Sequence, residues 1–430
     1  MLHLGPTSAG ARSRIAALEP DLSRHIPVLD GVRGLAILGV CVFHMTVMEP
    51  VSRADRVWVQ ICSFGWTGVD LFFVLSGFLI TGILLEAKGR EHYFRNFYAR
   101  RVLRIFPLYY CVVAVSLLVL PHIQHAKAEH FARIRGSEVW YWTYLCNFSI
   151  ARVHAFRHGI LDVCWSLAIE EQFYLVWPAV VLLSSRRGLL VVCCGCILMS
   201  VAVRAALALN GAHPIALYVL TPCRMDGLAA GALVAILARG PRGTLALLGP
   251  AKKWAWVCGL LAAAVACREG GDILSWRRPQ LIFAFTVLAG LFAAFLLISI
   301  TGAPRSFLHR FLSSHAMRTL GKYSYAIYLF HLPLRALIRD TLYKPEHFLR
   351  LFGSRLPGQM IFYVLSIGIA LLAARVSWIA LEQPFLSLKR FFPNARASRP
   401  GKASADGAAL TGARETMLAH PQSPHGDSVC

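Results

Sequence analysis

Ten blocks of apolar residues, most of them about as long as a bilayer is thick, run through this chain and restrict it to a membrane fold. They cover approximately 26–48, 66–86, 105–120, 163–184, 188–209, 220–238, 254–268, 279–300, 320–339 and 358–381, the third and seventh being short. Over 430 residues, 57% are apolar and the mean hydropathy is +0.56. One soluble core of that length would not need so many continuous apolar runs. With no water in the hydrocarbon region, each span must satisfy its backbone internally, so helices are expected. The expected fold is an all-α integral membrane protein of about ten transmembrane helices in one bundle. The aromatic stretch Trp140-Tyr141-Trp142-Thr143-Tyr144 is too short for an eleventh span and reads as an interfacial segment.

The net charge of +22 would suggest a nucleic-acid partner on a soluble protein. Here the basic residues lie mostly between spans, so topology is the simpler cause and no nucleic acid is expected. Lys88 to Arg104, Arg186 with Arg187, Arg239 to Lys253, and Arg305 to Lys322 form four basic loops that fall on one side if ten spans are present. Arg12, Arg14 and Arg24 at one end, and Lys389, Arg390, Arg396 and Arg399 at the other, join them, so both termini are expected in the cytoplasm. The loop 121–162 carries five basic residues of its own and fits this pattern least. Residues 1–25 read as a cytoplasmic tail without a cleavable signal, 26–394 as the membrane domain, and 395–430 as a disordered cytoplasmic tail. No soluble catalytic domain is expected at either end, so any chemistry would occur within the membrane domain. The spacing of Cys193 and Cys196 resembles a metal or redox motif but lacks a nearby His or carboxylate, and no metal is expected.

Within the first span, Arg33 and His44 are eleven positions apart and share a helix face, roughly 16 Å apart along the axis. An arginine at mid-membrane costs about 2.5–3.5 kcal/mol on insertion scales, so a buried polar track is expected around it, with Asp30 one turn below. Counting depth from the span ends puts Asp70 and Glu170 near the level of His44. A histidine and carboxylates at one depth could form a general base and its orienting groups; equally, Asp70 and Glu170 could be solvated at the outer interface. On the basic side, Arg101 and Arg104 share a face. They serve either topology and lipid contact or phosphate binding, for which the planar guanidinium is suited. Pro107 marks where the third span begins. Phosphate-binding arginines below, and an intramembrane Arg and His above, would fit a ligand with a phosphate-rich head and a long reactive arm. Acyl-coenzyme A has that shape.

The chain resembles acyltransferase family 3, multi-span membrane acyltransferases that include bacterial O-antigen and exopolysaccharide O-acetylases. Leu29-Asp30-Gly31-Val32-Arg33-Gly34-Leu35-Ala36 through Phe43-His44 looks like the family's first span. Gly65-Trp66-Thr67-Gly68-Val69-Asp70 through Ile80 resembles the second, Arg101-x-x-Arg104 its arginine pair, and Trp165 through Glu170-Glu171-Gln172-Phe173-Tyr174 its acidic motif. Arg224-Met225-Asp226-Gly227, Tyr323 through His331, and Glu382-Gln383-Pro384-Phe385 complete the series in order. The resemblance implies transfer of an acyl group, commonly acetyl, from cytoplasmic acyl-CoA to a hydroxyl, usually on a saccharide or glycolipid, at a bacterial inner membrane. It implies His44 as the catalytic residue and Arg33, Arg101 and Arg104 at the donor site; Glu170 and Asp70, placed by the depth count, are the further catalytic candidates. The hydrolase-like domain that some members carry is not expected here. The alternatives are a transporter or flippase that uses the same charged track, and an acyltransferase acting on a small secondary metabolite such as a macrolide. His331, in the ninth span, reads equally as a second proton handler or a packing histidine. Gly227 and Gly231 read as a close helix contact, and Glu382 as a helix-end ion pair with a basic residue.

Overall fold

The computed structural model describes residues 19–393 except 23, 124–135, 158, 242 and 270–277. Both expected tails therefore lie largely or wholly outside the described residues. Each of the ten apolar blocks forms a long helix: α1 Pro27–Met45, α2 Gly68–Ala87, α3 Tyr93–Ala114, α4 Cys164–Leu183, α5 Arg186–Leu209, α6 Thr221–Ala238, α7 Leu248–Glu269, α8 Arg278–Thr301, α9 His315–Leu337 and α10 Leu356–Ser377. Among the described residues, eight segments have both the length and the apolarity to cross a bilayer. Of the ten helices, α7 and α9 fall outside that set, and α9 carries Arg318, Lys322, His331 and Arg335 within one helix. No strand occurs among the described residues, and one isolated bridge joins Leu351 to Ser354. The protein is thus an all-α membrane protein.

Local chemistry sets the helix starts. Pro27 opens α1, where the missing N–H has no intrahelical partner to lose. Ser185 and Ser314 accept the free amides of Gly188 and Met317 at the starts of α5 and α9. The third helix starts at Tyr93, well before the expected apolar block, and runs through Pro107. Arg100, Arg101 and Arg104 are consequently helical rather than loop residues, and Arg318 and Lys322 likewise lie on the first two turns of α9. Among the added turns of α3, Arg95, Ala99, Arg100 and Arg101 are good helix formers, and basic side chains at an interface can extend into the headgroup region.

The aromatic stretch after α3 is, as expected, too short to span a bilayer. It forms the short helices Glu138–Trp142 and Cys146–Val153, with Tyr141, Cys146 and Asn147 fully buried. Tyr109 and Tyr110 of α3 donate to the carbonyls of Tyr141 and Trp142, and Asn147 donates to Val219 O and Thr221 Oγ1. These polar tips anchor the segment against α3 and the start of α6.

Small residues bring key helices together. A Cβ on Gly34 of α1 would lie 2.0 Å from the Met317 carbonyl, and one on Gly231 of α6 only 1.8 Å from the Val74 carbonyl of α2. Backbones can pack this closely only without a side chain between them, as in other membrane helix pairs. The Gly227–Gly231 pair thus makes the close contact its spacing predicts. Val191 and Leu198 of α5, and Val364 and Leu372 of α10, are largely exposed apolar side chains suited to lipid.

Candidate active site

The close approach of α1 and α9 places the two intramembrane histidines together. His331 Nε2 is 3.1 Å from His44 Nδ1, and the ring centroids are 4.9 Å apart. His331 Nδ1 lies 2.7 Å from the Tyr328 carbonyl. A carbonyl oxygen only accepts, so His331 carries its proton on Nδ1, and in the neutral ring Nε2 holds a lone pair. His44 Nδ1 faces that lone pair and also the Val40 carbonyl at 3.2 Å, so it is the donor. Neutral His44 therefore presents an unprotonated Nε2. No hydrogen bond among the described residues ends on that nitrogen. The Arg335 guanidinium donates to the His44 carbonyl at 2.8 Å and holds the last turn of α1.

The arginines lie at the other end of the track. A cavity of about 880 Å³ opens where α1 and α9 begin, and is lined by Arg33, Arg104, Arg318, Lys322 and Arg375 with Asp30. A narrower cavity of about 130 Å³ continues inward, with Arg33 and Arg104 lining both. Arg101 and Glu170 line the narrow part, which reaches Ser166 and Tyr328. The Tyr328 hydroxyl is 2.6 Å from Ser166 Oγ, and its ring centroid is 5.6 Å from that of His331. The two cavities thus adjoin at Arg33 and Arg104, and the narrow one ends at Tyr328, whose ring neighbours His331.

Partners fix each arginine differently. Arg33 is 3.6 Å from Asp30 on its own helix. Arg104 is 4.0 Å from buried Glu382 and lies over the Trp378 ring at 5.4 Å. Glu382 belongs to a wide turn, Trp378–Glu382, that follows α10, so the ion pair expected for Glu382 forms with Arg104 of α3. Arg101 packs over Phe97 at 5.9 Å.

The depth argument for the carboxylates is corrected by how the helices are rotated. Glu170 accepts from Tyr174 at 3.2 Å, and Tyr174 is bonded in turn to Ser76. Glu170 therefore faces the arginine-lined cavity, and no described hydrogen bond joins it to His44. Asp70 is buried and paired with Arg224 at 2.5 Å. Neither carboxylate is the solvated interfacial residue of the alternative reading. Arg224 also stacks over Phe285 at 3.9 Å. Beside them, Arg204 pairs with Asp226 at 2.8 Å, and Thr286 bonds both partners. This cluster ties α2, α5, α6 and α8 together, away from the histidine pair.

Sequence reasoning missed Arg204, although a lone arginine within an apolar helix is the same signal that drew attention to Arg33. It also missed the roles of Tyr174, Ser76 and Arg335, whose partners lie on other helices.

An all-α membrane bundle with a basic cavity, a narrower one adjoining it, and a histidine pair shared by two packed helices defines the class. Residues 26–375 match the acyltransferase domain of acyltransferase family 3, and the chain belongs to that family. It is similar to peptidoglycan O-acetyltransferase OatA of Listeria monocytogenes, 30% identical over 339 residues covering 74% of this chain and 51% of the relative. It is also similar to O-acetyltransferase OatA of Staphylococcus aureus, 26% identical over 388 residues covering 84% of this chain and 57% of the relative. The chain spans about half the length of the curated relatives it matches. No solved structure matches it significantly.

Proposed function

We propose that this protein is a membrane O-acyltransferase that moves an acetyl group from cytoplasmic acetyl-CoA to a hydroxyl of a cell-surface saccharide. The observation that carries the reading is the shared position of Arg33 and Arg104 in both cavities, which joins a basic chamber to the path toward His44. A guanidinium pair holds phosphate oxygens in fixed geometry, while a thin acyl-bearing arm can extend past them. The names of the relatives point to peptidoglycan as the acceptor class. By the excess of basic residues at the chamber end, that end faces the cytoplasm and both termini lie on the same side.

His44 supplies the general base. Its Nε2 takes the proton of the acceptor hydroxyl as the oxygen attacks the thioester carbonyl. The new C–O bond forms, the C–S bond breaks, and the departing thiolate receives the proton from His44. His331 keeps the His44 proton on Nδ1 so that Nε2 stays available. Glu170, held by Tyr174, belongs to the donor passage. Asp70, paired with Arg224, holds α2 to α6 and does not contact the reacting atoms.

The test is transfer of label from [acetyl-14C]acetyl-CoA in membranes that contain the protein and a glycan acceptor. The expected product is an alkali-labile ester on the saccharide. Fully folded protein that transfers no label from acetyl-CoA to glycan overturns the reading.

A further inference from the structure

The basic chamber contains more positive charge than the path to His44 uses. Arg33, Arg104, Arg318, Lys322 and Arg375 line it against the single carboxylate of Asp30. Asp30 already binds His25 at 2.8 Å and faces Arg33 at 3.6 Å. Arg104 has Glu382. No carboxylate of the described residues pairs with Arg318, Lys322 or Arg375. Arg318 and Lys322 are four residues apart on one face of α9, and Arg375 comes from the last turn of α10. Lys322 is held 5.0 Å from the rings of both Tyr323 and Trp378, which also line the chamber. Basic residues that served topology alone would have no reason to converge from two helices on one cavity. Three unpaired cations around an open volume of about 880 Å³ instead match a ligand with a second cluster of negative charge, separate from the one held at the neck.

We infer that Arg318, Lys322 and Arg375 form a subsite for the terminal phosphate of the donor's nucleotide, the ribose 3′-phosphate of coenzyme A, while Arg33 and Arg104 grip the diphosphate. This rests on the proposed donor and adds to it the part of the nucleotide that the chamber recognises. Arg33 and Arg104 sit at the junction of the two cavities, where a linear ligand's diphosphate must pass if its thioester is to reach His44. The nucleotide end then remains in the wide chamber, against α9 and α10.

The experiment compares acetyl-CoA with acetyl-3′-dephospho-CoA as donors for the full-length protein in membranes. Charge-assisted phosphate contacts predict that the wild type prefers acetyl-CoA by about tenfold or more in kcat/KM. Arg318→Gln and Arg375→Gln should each raise KM for acetyl-CoA several-fold with little change in kcat, and the double variant should bring the preference close to one. Both positions are exposed at the bundle end, and elution of each variant as a single species in detergent checks the fold. A wild type that uses both donors equally, or variants that keep the full preference, overturns the subsite and leaves the donor reading standing. No transfer from either thioester by the folded wild type overturns the donor reading and the subsite together.

Discussion

A histidine acts as a base only through the nitrogen that lacks a proton, and its neighbours decide which nitrogen that is. At His44 the decision is made by two acceptors on one side, the Val40 carbonyl and His331 Nε2. His44→Ala should therefore lower acetyl transfer by about 10²–10⁴-fold while the protein still inserts and binds donor. His331 acts through His44, which separates the two predictions. His331→Gln keeps a side-chain acceptor within reach of His44 Nδ1 and should retain part of the activity. His331→Leu removes it, frees the other tautomer, and should reduce kcat far more than KM for the donor. Equal kcat in the Gln and Leu variants would assign His331 to packing alone. Arg104 poses a related test. Its guanidinium meets Glu382 and Trp378 while lining both cavities, so Arg104→Lys is not conservative and should raise donor KM by about tenfold.

Between elements, the contacts that hold the bundle are of two kinds. The first is close backbone packing. A Cβ on Gly231 would lie 1.8 Å from a carbonyl of the facing helix, so Gly231→Leu must force α2 and α6 apart and cost about 1–3 kcal/mol or more. Gly195 of α5 has nothing within 4 Å of its Cβ position, and Gly195→Leu should leave thermal stability in detergent unchanged. A similar loss for both would show that helix packing is not what Gly231 provides. The second kind is the buried ionic cluster. Arg204 is fully buried and joins Asp226, Thr286 and the backbone of α8. Arg204→Leu leaves Asp226 without its ion-pair partner, and breaking such a pair costs about 3–5 kcal/mol. The double variant Arg204→Leu with Asp226→Asn should recover much of that loss in a thermal melt.

Across the whole molecule, ten long helices and the basic residues at one end of the bundle give a topology that can be tested without any substrate. A reporter active only outside the cytoplasm, fused at Arg399, should give no signal, and one placed in the loop between α1 and α2 should be active. An active fusion at Arg399 would place the basic chamber outside the cell. A cytoplasmic acyl-CoA could then not enter it, and the proposed direction of transfer would be reversed.

Apolar runs read against bilayer thickness located the ten long helices from the chain alone, although α7 and α9 fall short of the apolarity a span needs. The chain also determined that Arg33 and His44 share a face, since helical periodicity is a local property. Glycine spacing at Gly227 and Gly231 signalled a close helix contact for the same reason. Which residues meet across helices, by contrast, came only from the folded bundle. Asp70, Glu170 and His44 share a depth by counting, yet helix rotation sends Asp70 to Arg224 and Glu170 to Tyr174. The start of α3 before Pro107 was hidden because its first turns are polar and carry no membrane signal. His331 could be read either as packing or as chemistry until α9 was placed against α1. Depth along a helix follows from the chain, whereas the direction a side chain faces depends on which neighbour packs against it, and that is a property of the assembled bundle.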